Sequence, residues 1–178
     1  MQEEKMPIQR AIMVPHPPLI IPEVGRGQEL QIQSTIDAYH EAARAVAEAK
    51  PDTVIVLSPH TVMYADYFHI SPGDGAEGSF RQFGASKVKV SVSYDTEFVS
   101  LLCREAKKRE IPAGTLGERD PHLDHGTTIP LWFLNHYDKD YQVVRIGLSG
   151  LPLSVHYQLG QCIRSVARTL NRRVAVIG

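Results

Sequence analysis

Residues 52–61, D-T-V-I-V-L-S-P-H-T, decide the fold that we predict for this chain. Residues 54–57 are a continuous apolar run rich in β-branched side chains, which is typical of a strand buried on both faces of a parallel sheet. Pro59 ends the strand, because proline has no N–H to donate to a neighbouring strand. His60 therefore follows the carboxyl end of the strand, and open α/β sheets build their ligand sites at that edge.

An earlier stretch repeats this arrangement. Residues 11–14, A-I-M-V, predict a first strand, and Pro15 and His16 follow it directly. Further prolines come next and forbid both a helix and a central strand, so that His16 lies in a stiff loop. Residues 1–10 are mostly polar, and we expect that terminus to be frayed.

Strands and amphipathic helices alternate along the rest of the chain. The patterns predict helices over about residues 29–50, 97–110, 129–135 and from 154, and strands over about residues 67–71, 87–94, 141–148 and 173–177. Pro130 fits the first turn of its helix. Residues 72–86 are rich in glycine and have no periodicity, so we predict a mobile loop beside the site. The alternation predicts an α/β protein, a layered fold with a mostly parallel or mixed central sheet flanked by helices.

The composition is that of an ordinary soluble protein and excludes several classes. The chain has 178 residues, of which 43% are hydrophobic and 22% charged, with a formal net charge of −1. The absence of a basic stripe argues against a nucleic-acid partner, and no apolar run is long enough to span a membrane or resembles a signal peptide. Cys103 and Cys162 lie in separate helical patterns, and we predict that both are small core residues. They suggest no disulfide framework and a reducing compartment, so we expect a cytoplasmic protein. The sequence leaves both a monomer and a homo-oligomer open.

Four histidines are candidates for chemistry because they follow predicted strands or lie in a polar loop. They are His16, His60, His122 and His125. Neutral imidazole is the commonest metal ligand among side chains, and two histidines with a carboxylate are the pattern of non-heme Fe(II) oxygenases. The alternative is that each caps a helix or turn and has its own hydrogen bond. That structural interpretation is the one we give to the remaining histidines, His40, His69, His136 and His156.

Two other enzyme classes lack their motifs. No G-x-S-x-G is present, so a serine hydrolase is unsupported. The glycines of residues 73–84 do not form G-x-G-x-x-G after a strand, so a dinucleotide site is unsupported too.

Four motifs, in this order, cover nearly the whole chain and together resemble a known family. They are V-P-H-P-P-L-I at residues 14–20, L-S-P-H-T at 57–61, F-R-Q-F-G at 80–84 and L-D-H-G-T-T-I-P-L at 123–131. They resemble the catalytic subunit of class III extradiol ring-cleavage dioxygenases, the LigB family. Within it, the chain is most similar to the LigB-like proteins of the AmmeMemoRadiSam system, which are relatives of the Memo proteins.

The resemblance implies a site and a reaction. It implies that His16 and His60 are ligands of Fe(II), and that a catechol-type aromatic substrate and O₂ bind there. It implies that His125 is the catalytic histidine that lines the pocket and hydrogen-bonds the substrate or oxygen. His122 and Thr127, in the same polar loop, are further candidates for substrate contact.

The chain departs from the family pattern at its end. The third ligand of the family, a glutamate, and its acid–base histidine would follow residues 174–178, V-A-V-I-G. We therefore expect residues 1–178 to be the N-terminal portion of one LigB-like domain. Asp124 or Glu23 would be the substitutes for the glutamate, and nothing in the sequence favours either. Two alternatives stay open: a non-catalytic Memo-like protein that binds a metal or a partner, and a hydrolase with Zn²⁺ at the histidines.

Overall fold

A computed structural model gives the structure of this protein and describes residues 6–178. The strands are β1 (Ile8–Ile12), β2 (Thr53–Ser58), β3 (Phe68–His69), β4 (Gly75–Phe80), β5 (Ala85–Ser93), β6 (Ala113–Gly114), β7 (Gln142–Gly147) and β8 (Val174–Ile177). The helices are α1 (Pro22–Gly25), α2 (Gln33–Glu48), α3 (Thr96–Lys108), α4 (His125–Leu134) and α5 (Leu153–Thr169). Short 3-10 turns cover Pro18–Ile20, Gln28–Ile32 and Arg81–Phe83. We predicted a frayed terminus over residues 1–10. Residues 1–5 lie outside the described residues, and for residues 8–10 the prediction is wrong, because β1 begins at Ile8.

The central sheet has four strands in the order β1-β8-β2-β7, and all three pairings are parallel. The last strand of the chain, β8, therefore lies between β1 and β2. Two smaller sheets accompany it, a parallel pair of β3 with β6 and an antiparallel pair of β4 with β5. The α/β fold with a mostly parallel central sheet is thus confirmed.

The strand β2 is buried because it has a neighbour on each side and helices over both faces. Val54, Ile55 and Val56 are at most 1% exposed. Ile55 packs in one apolar cluster with residues of α3 and α5, and Val54 and Val56 pack in another with residues of α2 and α4. This three-layer packing explains why the run reads as continuously apolar instead of alternating. No helix within residues 6–178 is long and apolar enough to cross a membrane.

The prediction of a loop over residues 72–86 is wrong. Most of this segment is β4 and the turn that follows, paired as an antiparallel hairpin with β5. The glycines leave room for neighbouring groups that a side chain would clash with. A Cβ on Gly75 would lie 2.3 Å from the carbonyl oxygen of Val92, and one on Gly78 would lie 2.4 Å from Oγ1 of Thr128. Glycine composition indicated a loop, but here it reflects close approach of neighbouring groups.

The helix α4 begins four residues earlier than predicted, at His125 instead of residue 129. Asp124 is its N-cap, and its side chain accepts a hydrogen bond from the backbone N–H of Thr127. Pro130 therefore lies inside the helix and not in its first turn. The earlier start places His125 at the beginning of a buried helix, where its position is fixed.

A candidate metal centre at the carboxyl edge of the sheet

His16 and His60 meet at one edge of the central sheet. His16 follows β1 and His60 follows β2, the two strands that flank β8. The carboxyl ends of parallel strands lie at the same edge, so both loops project in the same direction. The Nε2 atoms of the two rings are 3.1 Å apart. The structure therefore brings together the two histidines that the proline-terminated strands singled out.

A third imidazole, that of His125, joins them from the first turn of α4. Its ring centroid lies 4.0 Å from that of His60 and 5.9 Å from that of His16. One nitrogen from each of the three rings can be chosen so that all three atoms lie within 4.8 Å of one another. Within residues 6–178 this group of candidate ligands contains no carboxylate, so neither Asp124 nor Glu23 belongs to it.

Gly126 lets the helix approach the strand this closely. A Cβ atom at this position would lie 2.8 Å from Oγ of Ser58 and 3.1 Å from Cδ2 of His60. Contacts this short are tighter than nearly all real Cβ contacts, so with any larger residue the Ser58 hydroxyl or the His60 ring would have to shift. The glycine of the D-H-G sequence is thus needed for space.

Asp124 is a hydrogen-bond acceptor beneath the histidines. Its carboxylate accepts hydrogen bonds from Ser58, Thr61 and Thr127. Burial alone would raise the pKa of Asp124, but these hydrogen bonds and the nearby charge of Arg145 outweigh it and hold the pKa below its ordinary value. The group is therefore an anion at neutral pH, with both oxygens engaged.

His125 has an environment that favours its neutral form. Burial lowers the pKa of this imidazole below its ordinary value, and the nearby rings of His60 and His16 lower it further. The carboxylate of Asp124 opposes that shift without cancelling it. A neutral imidazole keeps a lone pair, so at pH 7 this side chain can bind a metal ion or accept a proton.

A cavity of about 730 Å³ opens beside His60 and His125. Its other lining residues come from the end of β4, from the turn that follows it and from the segment before α4: Ser79, Arg81, Gln82, Asp120, His122, Leu123 and Asp124. Ligand pockets in proteins typically have volumes of about 300–1,000 Å³, so a single aromatic ring would fit here. Phe83, also in the turn, packs its ring edge-on to that of His125 at 5.5 Å between centroids.

The two further candidates for substrate contact lie in different settings. His122 is exposed at the cavity wall, and its Nδ1 is held by Asp120 Oδ1 at 2.8 Å. Thr127 is fully buried, and its hydroxyl donates to Oδ2 of Asp124 at 2.9 Å. Substrate contact by either residue stays a prediction.

The other four histidines lie outside this group, and each has a hydrogen bond of its own. The partners are Tyr137 for His40, and the backbone carbonyls of Leu116 for His69, Trp132 for His136 and Pro152 for His156. These contacts agree with the structural interpretation given to them above.

Two residues of the site were missed by the sequence analysis. Arg145 is 2% exposed and supports the loops from beneath, and its only sequence signal is a charge inside the otherwise largely apolar strand Q-V-V-R-I-G. Phe83 was part of a quoted motif, but it lay in the segment that we had predicted to be a mobile loop. Its contact with His125 could not be inferred without the hairpin.

Two comparisons with known proteins show what this chain is similar to. The family model for the catalytic LigB subunit of aromatic ring-opening dioxygenase matches residues 10–178. A protein of Clostridium acetobutylicum named Protein CA_C1420 is 32% identical over 173 residues, which are 93% of this chain and 37% of that protein. The chain thus spans little more than a third of the length of this relative, whose name states no function.

Proposed function

The chain belongs to the LigB family of aromatic ring-opening dioxygenases, and from this premise we propose that it opens a catechol-type ring with O₂ at a non-heme Fe(II) centre. The observation that carries the proposal is the convergence of His16, His60 and His125, with ligand atoms within 4.8 Å of one another. Two of the three, His60 and His125, line a cavity large enough for one aromatic ring.

The spacing of the first two imidazoles fits a shared ion. Two nitrogens that each bind an ion at about 2.1 Å, at roughly right angles, lie about 3.0 Å apart. The Nε2 atoms of His16 and His60 are 3.1 Å apart. Imidazole suits iron, zinc, copper and nickel alike, so the donor set supports a transition metal in general. The family match supports a bound metal without identifying it, and the choice of Fe(II) rests on the resemblance to extradiol dioxygenases described above.

Each histidine then has a role. His16 and His60 hold the ion, which when bound supplies positive charge that favours the ionised catechol oxygens and open positions for substrate and O₂. His125 is the catalytic histidine that lines the cavity: its lowered pKa keeps the ring neutral, with one nitrogen free to accept a hydrogen bond from the substrate or one N–H free to donate to bound oxygen. His122 faces the same cavity and would contact the substrate at its outer side. Thr127 would act through Asp124, to which its hydroxyl donates.

The test combines metal analysis with oxygen uptake. The protein is loaded anaerobically with Fe(II), mixed with catechols, and followed with an oxygen electrode. Mass spectrometry after a reaction in ¹⁸O₂ should find both labelled oxygen atoms in a ring-opened product. His125→Gln should keep the iron and lose turnover, whereas His16→Ala should lose both. His136→Ala, at an exposed histidine outside the group, is the matched control and should lose neither.

Other outcomes would replace this proposal. Iron that stays bound without oxygen uptake from any catechol would leave a non-catalytic, metal-binding protein of the same family. Bound zinc with hydrolysis of an ester or amide would make the protein a zinc-dependent hydrolase, in which the ion activates a water molecule.

A further inference from the structure

The residues on either side of His60 are tied to one carboxylate, that of Asp124. Ser58, two residues before His60, donates from Oγ to Oδ1 at 2.6 Å. Thr61, directly after His60, donates from Oγ1 to Oδ2 at 2.8 Å. The Ser58 hydroxyl also accepts the backbone N–H of His60 at 3.1 Å. The turn that carries this imidazole is therefore attached to Asp124 at two points.

The same carboxylate caps the N-terminus of α4, the helix that carries His125. The backbone N–H of Thr127 donates to Oδ1 at 3.0 Å, and its hydroxyl donates to Oδ2 at 2.9 Å. These bonds are those of an N-cap aspartate, and they fix the first turn of α4. His60 and His125 thus lie on different elements that share one anchor, with ring centroids 4.0 Å apart.

Arg145 holds this anchor from beneath. Its Nε donates to Oγ1 of Thr61 at 2.9 Å and lies 3.6 Å from Oδ2 of Asp124. One terminal nitrogen donates to the backbone carbonyl of His122 at 2.9 Å. A single guanidinium on β7 therefore joins the turn after β2 to the segment before α4. The flat, forked group suits these diverging contacts in a way that a lysine ammonium does not.

Stability alone is a poor explanation for a buried charge pair in this position. Asp124 and Arg145 must both give up hydration, and well-packed apolar residues of similar volume are often as stable or more so. Their contacts converge on the two histidine-bearing loops. We propose that Asp124 and Arg145 are positioning residues that hold the metal ligand His60 and the catalytic histidine His125 at a fixed separation before an ion binds. The inference rests on the metal centre of the proposed function.

A second aspartate provides an internal control. Asp95 is 1% exposed and caps α3 through the backbone N–H of Phe98 at 3.0 Å. It accepts the hydroxyl of Thr53 at 2.7 Å, and Nε of Arg172 lies 3.4 Å from its Oδ2. Asp95 therefore repeats the capping, hydroxyl and arginine contacts of Asp124, but at the opposite end of β2 from His60.

The experiment compares Asp124→Asn with Asp95→Asn in the protein. Three quantities are measured for each: Zn²⁺ affinity by competition with a chelator, the midpoint of thermal unfolding, and the NMR contact between the His60 and His125 rings without metal. Both substitutions should lower the unfolding midpoint. Asp124→Asn should weaken Zn²⁺ binding by about 10–100-fold, the usual effect of removing a residue that orients metal ligands. It should also abolish the ring contact, whereas Asp95→Asn should change neither.

Further variants test the same point, and Ser58→Ala is the mildest of them. Ser58→Ala removes only the hydroxyl that links Asp124 to the backbone of His60, and it should weaken Zn²⁺ binding while the protein stays folded. Arg145→Met removes the guanidinium but keeps much of its volume, and it should do the same. Arg145→Lys should recover only part of the affinity, because one ammonium cannot reach both Thr61 and the carbonyl of His122.

The outcomes separate this inference from the proposed function. If the wild-type protein binds Zn²⁺ and the Asp124 and Ser58 variants bind it equally well, the positioning role is wrong and the metal centre stands. If the wild-type protein binds no metal, the proposed function is wrong. The ring contact measured without metal then decides the positioning role: its loss in Asp124→Asn supports the role, and its retention overturns it.

Discussion

Gly126 lies so close to His60 that a Cβ atom on it would be 3.1 Å from Cδ2 of the imidazole. On helix propensity alone, Gly126→Ala would stabilise α4 by about 1 kcal/mol. We expect the crowding to cancel that gain and to weaken Zn²⁺ or Fe(II) binding about tenfold, because the ring would have to shift. Chelator competition and urea unfolding measure the two effects.

Gly160→Ala is the matched control for this substitution. Gly160 lies in α5, and a Cβ there would meet nothing within 4 Å. It should raise the free energy of unfolding by about 0.5–1 kcal/mol and leave metal binding alone. A Gly126→Ala protein that behaves in the same way would show that the close approach has no bearing on the site.

The metal content of histidine variants tests the ligand assignment directly. Replacing His16 or His60 by alanine should abolish tight metal uptake, measured by elemental analysis after dialysis. The fold should stay intact, because neither ring is part of the buried core. Replacing His40 or His69 should leave the metal content unchanged. Full metal content in both the His16 and His60 variants would refute their role as ligands.

The sequence predicted the parts of the fold that depend on apolar burial along one element. The run at residues 54–57 identified β2, because a strand with neighbours on both sides needs apolar residues throughout. Pro59 predicted where β2 ends, whereas β1 spans Ile8–Ile12 and ends two residues before the predicted Val14. The histidines that follow the two strands still predicted the edge at which His16 and His60 meet. Local sequence was sufficient to predict these features, since the apolar run and the prolines each lie within one short segment.

Contacts between distant segments could not be predicted in this way. The hairpin of β4 and β5 was missed because its glycines are typical of a loop. Gly75 is a glycine because the backbone of the paired strand β5 lies too close for a side chain, and the sequence of β4 alone does not show this. Asp124 was considered as a metal ligand, but its oxygens are used by Ser58, Thr61 and Thr127. Ser58 and Thr61 lie 66 and 63 residues away from Asp124 along the chain, so no local pattern could reveal their hydrogen bonds to it.

A core substitution tests the packing between α3 and the sheet. Phe98 is fully buried in the apolar cluster that includes Ile55 and Leu102. Phe98→Ala should lower the free energy of unfolding by about 3–5 kcal/mol, through lost burial and the cavity left behind. Leu153→Ala is the control, because Leu153 is 85% exposed at the start of α5 and should change stability by less than about 0.5 kcal/mol. Equal losses in urea unfolding would contradict this packing.

The ion pair of Asp52 with Arg173 should make stability depend on pH in the acid range. Asp52 accepts hydrogen bonds from the guanidinium of Arg173 at 2.6 and 3.2 Å and from its backbone N–H at 2.7 Å. The side-chain hydrogen bonds from Arg173 are the main cause that holds the pKa of Asp52 below its ordinary value, while burial opposes them.

The sign of the effect follows from that direction. A carboxylate with a lowered pKa in the folded state stabilises the fold at pH values above the unfolded pKa of about 3.9. The contribution is lost as the pH falls through the folded pKa. Asp52→Asn should therefore be less stable than wild type at pH 7, and the gap should narrow as the pH falls below about 4. Urea unfolding across this range measures the gap, and a gap that stays constant would show that Asp52 does not supply the pH dependence.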